Sequence, residues 1–325
     1  MQHRIFSSLA NFIKKWITYF FILMTIIVTV LSVAGYFGKL NVYLEIISNF
    51  KFQCLLIAFC AFIFFTLNRQ KIWWLASFFC LLINFTEVAP WYLPQLGVNH
   101  QSSGQSMRLF LSNVLFSNTR YADVISLVRE EKPAIAVFLE ATRPWTEELK
   151  VLQDILPYHI SAEKLEIEVY SSLPLENTSI QLYGEKRGNV ISDLTIQGKV
   201  VSIIASHANP QLVFGSQGYE WRNKHLEEGI GNYVAQLKKP VVLIGDLNAT
   251  MWSPYYKNMI QRSGLHNTRA GFGILPTFGP FLPWVGVPID HCLVSPDIQV
   301  LNTRTGKDVG SDHLPLITDL VIPVS

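Results

Sequence analysis

The sequence predicts an α/β protein: a four-layer α/β sandwich of two packed mixed or antiparallel sheets flanked by helices, preceded by about three transmembrane helices. Three observations predict it. Uncharged apolar runs crowd the first 93 residues. Hairpins and β-α-β passages then alternate over residues 107–325, and several apolar strands end abruptly in acid, amide or imidazole groups.

The membrane elements come first. Residues 16–37 (WITYFFILMTIIVTVLSVAGYF) hold no charge over 22 positions, enough to cross a bilayer as a helix. Residues 47–67 and 72–93 read as second and third spans, with Glu87 near the far end of the third, where a carboxylate must reach the interface or find a partner. Lys14-Lys15 and the small Ser32-Val33-Ala34-Gly35 suit a signal peptide, but the apolar stretch exceeds the usual roughly 7–15 residues and two more follow, so an uncleaved anchor is expected. Trp73, Trp74, Trp91 and Tyr92 fall at predicted membrane edges, where such side chains anchor. Arg4, Lys14, Lys15 and the turn Asn68-Arg69-Gln70-Lys71 belong in the cytoplasm by the positive-inside rule, whereas 94–107 carry no charge. Three spans therefore predict a multi-pass protein of a bacterial inner-membrane type, with the lipid bilayer as partner and the C-terminal domain extracytoplasmic, or periplasmic.

Residues 94–106 (PQLGVNHQSSGQS) read as a polar linker. Beyond it a strand is expected over 108–113, a helix over 120–131 capped by Asn118 or Thr119 and stopped by Pro133, then a strand over 134–140 and a helix from Pro144. Extended segments follow at 165–170, 178–183, 189–196 and 200–207, the last two joined by Gln197-Gly198. A long helix fits 217–239, ended by Pro240. A strand at 241–246 and a helix at 254–263 precede strands and Gly/Pro-rich loops. One loop, 277–287 (TFGPFLPWVGV), either covers the sheet end or presents Phe281 and Trp284 to lipid or substrate.

Composition narrows the function. Residues 106–325 carry a net charge of −3, whereas a domain gripping duplex nucleic acid non-specifically is usually basic. Cys54, Cys60 and Cys80 lie in the spans and Cys292 stands alone in the C-terminal domain, so neither an intradomain disulfide nor a Cys-x-x-Cys zinc site is available there.

The chemistry-bearing residues end apolar strands. VVLIGDLN delivers Asp246 and Asn248, which share one side of an extended chain. VGVPIDHCLV delivers Asp290 and His291, GSDHLPL delivers Asp312 and His313, AIAVFLE ends in Glu140, and VVSIIASH ends in His207. A buried strand holds its last residues rigidly at a sheet edge, so these groups predict a hydrolytic site. Singly, each has a plainer reading: an Asp after a strand is usually a turn or cap, His207 alone reads as a core histidine, and Asn118 as a cap. His291 reads as structural, and His159, His225 and His266 have no motif support. Arg222 is either a surface residue or a substrate contact. The ordered combination is what favours chemistry.

Six segments in this order, SNV around Asn113, FLEAT around Glu140, SHANP around His207, GDLNA around Asp246 and Asn248, PIDHCLVSP around Asp290 and GSDHLP around His313, resemble the endonuclease/exonuclease/phosphatase superfamily. That superfamily holds deoxyribonuclease-I-like nucleases, neutral sphingomyelinases and inositol polyphosphate phosphatases. The likeness covers 107–323 and extends to a bacterial branch with N-terminal spans. It implies a metal-dependent phosphoester hydrolase with Glu140 as metal ligand, Asn113 beside it and Asp312 completing the site. Hard oxygen donors without thiolate suit Mg²⁺ or Mn²⁺. His313 is expected as general base, Asp290 as its orienter, Asp246 and Asn248 as holders of water and phosphate, His207 as donor to a phosphate oxygen, and Arg222 as substrate contact. Leu139 and Leu247 replace the family's common Gln and Phe, and Leu173 stands where an Arg is usual. The expected substrate is a phosphoester in a lipid headgroup or a nucleic acid. A lipid-headgroup phosphodiester suits the tether and the charge. A nuclease reading requires Arg143, Arg187, Arg222 and Arg269 to gather in one stripe. A non-catalytic binding module retaining the fold is the third alternative.

Overall fold

The computed structural model describes residues 2–93, 104–213, 215–279 and 285–323. It divides into two compact units, Met1–Pro90 and Trp91–Ser325. Phe281, Trp284 and most of the expected linker lie outside the described residues.

In the first unit α1 (Gln2–Ala34), α2 (Val42–Ser48), α3 (Lys51–Leu67) and α4 (Lys71–Val88) follow in order. The stretches Leu9–Phe37 and Lys71–Trp91 are each long and apolar enough to cross a membrane. The second expected span is different. α2 and α3 meet at a 62° bend, so the described residues hold two helices long and apolar enough to cross a membrane, or three if the bent pair counts as one. The bend places a buried cation: Lys51 opens α3, its Nζ donates to the Ser32 carbonyl at 2.8 Å and lies 4.0 Å from the centre of the Tyr36 ring. Asn84 Nδ2 on α4 donates to Ser32 Oγ at 2.7 Å. Polar groups in such a bundle must find one another, and Ser32 gathers both Lys51 and Asn84.

In the second unit the strands are β1 (Gly104–Asn113), β2 (Ile135–Leu139), β3 (Tyr158–Ala162), β4 (Ile167–Ser171), β5 (Glu176–Leu182), β6 (Gly188–Ile196), β7 (Lys199–His207), β8 (Val241–Asp246), β9 (His266–Asn267), β10 (Asp290–Val294), β11 (Gln299–Thr305) and β12 (Leu316–Pro323). They form two mixed sheets, ordered β11-β12-β1-β2-β4-β3 and β5-β6-β7-β8-β10-β9. The first sheet's outer face is covered by α5 (Tyr121–Glu131) and α6 (Arg143–Leu149). The other helices are α7 (Gly215–Lys224), α8 (Tyr233–Ala235) and α9 (Pro254–Ser263). This is the expected sandwich.

Strand periodicity explains the layers. Along β1, Leu109 and Leu111 enter the core between the sheets while Phe110 joins the helix-facing cluster with Trp145. β2 repeats this, with Val137 and Leu139 inward and Phe138 outward. In the second sheet Ile203 and Ala205 of β7, Val242 and Ile244 of β8, and Cys292 and Val294 of β10 fill the same inter-sheet core. Alternate residues share one face, so the next inward positions are Asn113, His207, Asp246 and Asp290. The apolar filling stops and the polar residues begin at one edge.

Three elements differ from expectation. α5 starts at Tyr121 because Asn118 Oδ1 accepts from Arg120 N at 3.0 Å in a turn before the helix. β3, whose sequence YHISA carries only a weak apolar signal, is held by pairing with β4. The helix expected over 217–239 contains a π-helical turn at His225–Asn232, where the Gly229 carbonyl accepts from Asn189 Nδ2 at 3.0 Å. Gly229 also lies against Tyr183, with no room for a Cβ.

Gly245, one residue before Asp246, is required by close approach. A Cβ there would stand 1.8 Å from the Ser206 carbonyl oxygen on β7. Gly245→Ala forces β7 and β8 apart and should destabilise the protein by about 1–3 kcal/mol, which is a fall in melting temperature of roughly 3–10 °C for a unit of this size. Thermal unfolding of the detergent-solubilised protein measures it, and an unchanged transition would contradict the packing described.

Candidate active site

β1 and β2 are parallel, as are β7 and β8, while β10 and β12 run against their neighbours. Asn113, Glu140, His207 and Asp246 therefore stand at or just past strand ends, and Asp290 and His313 at or just before strand starts, all on one edge. Within the second sheet His207 pairs in register with Asp246, and Asp246 with Asp290. From the first sheet Asn113 Nδ2 reaches across to Asp246 Oδ2 at 3.4 Å and to Glu140 Oε1 at 3.2 Å. His313 Nδ1 lies 2.8 Å from Asp290 Oδ2, and its Nε2 lies 3.9 Å from Asp246 Oδ2. His207 Nε2 is also 3.9 Å from Asp246 Oδ2. One carboxylate oxygen thus faces an amide and two imidazoles.

Local turns aim these groups. Asp246 Oδ1 accepts from Asn248 N at 2.8 Å, an Asx turn that suits the left-handed Asn248, φ 47°. Asn248 Nδ2 donates to the Ala208 carbonyl at 3.0 Å, tying the turn to the end of β7. Glu140 is also left-handed, φ 56°, which ends β2 and swings the carboxylate to the edge. Such a backbone costs about 1–3 kcal/mol and persists where surrounding structure enforces it. Ser311 fixes the His313 loop: its Oγ donates to the Asn113 carbonyl at 2.7 Å and accepts from His313 N at 3.1 Å. Asn118 Nδ2 donates to the Val114 and Val309 carbonyls, both at 3.1 Å, and holds the same loop from behind.

Burial and charge set the protonation states. Burial, then the negative charge of Asp290, pushes the Asp246 carboxyl up to about 7, against the pull of His313 and the Asn248 N–H. Burial also opposes ionisation of Asp290, but His313, Thr277 and Arg269 more than offset it and hold Asp290 below the usual carboxylate range. Burial would lower His313, yet Asp290, Asp246 and Asp312 push it up to about 10. The three carboxylates thus favour the protonated form of His313. His207 is fully buried, and burial, then Arg187, hold it well below the ordinary imidazole range. Neither of its ring nitrogens has a hydrogen-bond partner among the described residues.

The remaining expected residues are placed as follows. Asp312 Oδ1 lies 3.4 Å from Ser311 Oγ, and its carboxylate is outside the group formed by Asp246, Asp290 and His313, whose ligand atoms lie within 4.8 Å of one another. In that trio the Asp290–His313 hydrogen bond already occupies one atom of each partner. Arg222 is fully buried between Tyr219 and Tyr255, 5.3 and 5.6 Å from their ring centres. Its Nη1 reaches the Asn248 carbonyl at 3.4 Å, so it supports the Asn248 turn from within rather than presenting itself at the surface. His291 Nε2 lies 2.8 Å from the Ala249 carbonyl, a structural position. Thr277 and Ser311 carry no signal of their own in the sequence, where Arg269 figures only among the four arginines of a nucleic-acid-binding stripe.

The donor set fits a hard divalent cation. Two carboxylates from different sheets, Glu140 and Asp246, converge on the Asn113 amide, whose oxygen accepts from Leu115 N at 3.2 Å. The carboxylate and amide oxygens are hard donors, with the imidazoles of His313 and His207 beside them and no thiolate among the described site residues. Asp246 is held up first by burial and then by the negative charge of Asp290, and a nearby cation would favour its ionised form.

Comparison with known proteins decides the family. The profile of the Endonuclease/Exonuclease/phosphatase family matches residues 110–313. The chain belongs to that family. Family members are hydrolases acting on phosphoester bonds. No curated protein matches the sequence. Among solved structures, D. rerio TDP2 complexed with single strand DNA product superposes with a TM-score of 0.57 at 14% identity, covering 67% of this chain and 100% of that one. An endonuclease/exonuclease/phosphatase from Beutenbergia cavernae superposes at 0.55 with 17% identity, covering 67% of this chain and 72% of that one. At such identities the likeness is one of fold.

Two buried histidines outside the reacting cluster make stability depend on pH. Burial depresses His225 and His291, each to about 3. Their folded values lie below the unfolded value of roughly 6.5, so the stability they confer is complete above that pH and is lost as pH falls through it towards 3. At pH 5 each contributes a loss of about 2 kcal/mol. Melting temperature should fall from pH 7 to 5, and less steeply in His225→Gln, which keeps a polar partner for Asn189. Thermal unfolding at several pH values measures both slopes, and equal slopes would contradict a neutral buried His225.

Proposed function

We propose that this protein is a membrane-anchored, divalent-metal-dependent phosphoester hydrolase, with residues 1–93 as membrane part and 107–325 as catalytic domain, acting on a phosphodiester of a lipid headgroup. The observation that carries the reading is the His313–Asp290 pair set against Asp246, with Asn113 and Glu140 meeting them from the other sheet.

The geometry suggests roles that differ in part from the sequence expectation. Asp246, raised towards neutrality, accepts the proton of the attacking water. His313, charged and oriented by Asp290, donates to phosphate oxygens as negative charge develops and the ester P–O bond breaks. The Asn248 turn positions the water beside Asp246, and His207 offers a ring N–H to phosphate. Glu140 and Asn113 would hold Mg²⁺ or Mn²⁺, which when bound neutralises charge on non-bridging oxygens.

Lipid is favoured over nucleic acid by three features. The first unit contains helices apolar enough to enter a bilayer. Residues 106–325 are net acidic. Arg222 and Arg269 are fully buried, so the four arginines do not make an exposed stripe. The structural likeness to a TDP2 with a DNA product keeps plasmid cleavage as the comparison arm of the test.

Detergent-solubilised full-length protein with Mg²⁺ should release headgroup phosphate from phospholipid vesicles faster than it nicks plasmid, and chelation should abolish turnover. His313→Gln should lower kcat by about 10²–10⁴. Plasmid nicking without lipid cleavage would assign a nuclease, and absence of any phosphoester turnover would remove the enzymatic reading. For the outward placement of the catalytic domain, a C-terminal alkaline phosphatase fusion should be active, and an inactive fusion would contradict it.

A further inference from the structure

One length of chain touches both members of the Asp290–His313 pair. It is the strap of residues 269–279, between β9 and β10. Near its end Thr277 Oγ1 accepts from Asp290 N at 3.2 Å, and the Thr277 carbonyl accepts from Leu314 N at 2.7 Å. Gly279 N donates to the Asp312 carbonyl at 3.0 Å, and the Phe278 ring centre lies 5.0 Å from that of His313. At its start Arg269 is fully buried. Its Nη2 donates to the Leu275 carbonyl at 3.2 Å, and its Nη1 lies 3.4 Å from Nδ1 of His291, the residue after Asp290. The course of the strap thus sets where carboxylate and imidazole meet.

Between these ends the backbone is left-handed at Gly271, Gly273 and Leu275, with φ of 90°, 102° and 43°. Such a path for a leucine persists where surrounding structure enforces it. Trp91 and Tyr92 supply that structure. The Trp91 carbonyl accepts from Gly271 N at 3.0 Å and from Gly273 N at 2.8 Å. The Tyr92 hydroxyl is hydrogen-bonded to the Ile274 backbone. Its ring lies so close to Gly273 that a Cβ there would stand 3.0 Å from Tyr92 Cε1. Both residues belong to the second unit, and Trp91 is also the last residue of the apolar stretch Lys71–Trp91. Expected only as anchors at a membrane edge, they give backbone and hydroxyl groups to a loop of the hydrolytic unit.

We propose that Trp91 and Tyr92 are positioning residues for hydrolysis. They clasp the strap at 271–274 and so keep Asp290 and His313 aligned through Thr277 and Arg269. A displacement of about 1 Å in reacting groups can cost about 100-fold in rate even when its source is remote. Catalytic competence then depends on the two residues through which the apolar stretch passes into the hydrolytic unit. The proposal rests on the phosphoester reading and adds the segment that holds its carboxylate and imidazole in place.

The test uses full-length protein in detergent with Mg²⁺ and, as probe, bis(p-nitrophenyl) phosphate, a soluble diester whose turnover does not require a bilayer. Tyr92→Ala should lower kcat about 10-fold or more while KM stays within about twofold. Tyr92→Phe, which keeps the ring against Gly273, should fall between it and the wild type. Thr277→Val should lower kcat as well, and the double variant should be no slower than the slower single variant, because both act on one strap. A kcat unchanged in Tyr92→Ala overturns the proposal, as does a double variant in which the two losses multiply. If Tyr92→Ala fails to fold, Tyr92→Phe decides: a lower kcat supports the clasp and a wild-type kcat overturns it. Hydrogen exchange on the same proteins gives a readout without turnover. Residues 287–294 should exchange faster in Tyr92→Ala, and equal exchange overturns the clasp. A wild type that turns over no phosphoester removes the hydrolase reading, whereas turnover with an indifferent Tyr92→Ala removes only the clasp.

Discussion

Asp246 and Asp290 are register partners on adjacent strands, both fully buried and both facing the space between the sheets. Like charges placed directly opposite in a sheet repel, and burial removes the water that would screen them. Most of the neighbourhood answers this constraint. His313 hydrogen-bonds to Asp290 and carries the compensating charge. Thr277 and Arg269 act on Asp290 from the other side. Asn248 N and the Asn113 amide take the two oxygens of Asp246. A pair of carboxylates forced together separates into one firmly ionised group and one raised towards neutrality, which is the condition for dividing orientation and proton acceptance between two acids.

The sandwich makes that pairing affordable because its core and its cleft are one pattern. The inward positions of β1, β7, β8 and β10 run as apolar side chains and end in Asn113, His207, Asp246 and Asp290. The core thus fixes the reacting groups through the same alternation that packs the two sheets. Left-handed Glu140 and Asn248 stand where the strand pattern must be broken to turn side chains into the cleft. Gly245 lets β8 come close enough to β7 for His207 and Asp246 to face each other.

The fold class and the residues to watch were legible because both rest on local signals: apolar strands, their periodicity, and polar groups at their ends. Partnership was not. That Asp290 lies opposite Asp246, across 44 positions of sequence, follows from strand order. That His313 faces Asp246 as well as Asp290 was not legible either, since it takes the register of β8 against β10 to bring both carboxylates to one imidazole. Arg222 reads from the sequence as either a surface residue or a substrate contact, and only packing shows it enclosed by Tyr219 and Tyr255 with its guanidinium on the Asn248 carbonyl. The bend between α2 and α3 escaped because hydropathy records the apolar run and ignores where Lys51 must find its partners. The π-helical turn depends on Asn189, a residue of another element.

The central proposal is that Glu140 and Asn113, at the ends of adjacent strands, serve a single divalent cation beside Asp246 and the His313–Asp290 pair. The most direct measurement is a double-mutant cycle on Mn²⁺ affinity, read by electron paramagnetic resonance, with Glu140→Gln, Asn113→Ala and the two combined. Groups sharing one ion should be non-additive, with a coupling of about 1 kcal/mol or more. Losses that simply add, or an affinity indifferent to either substitution, would contradict the account.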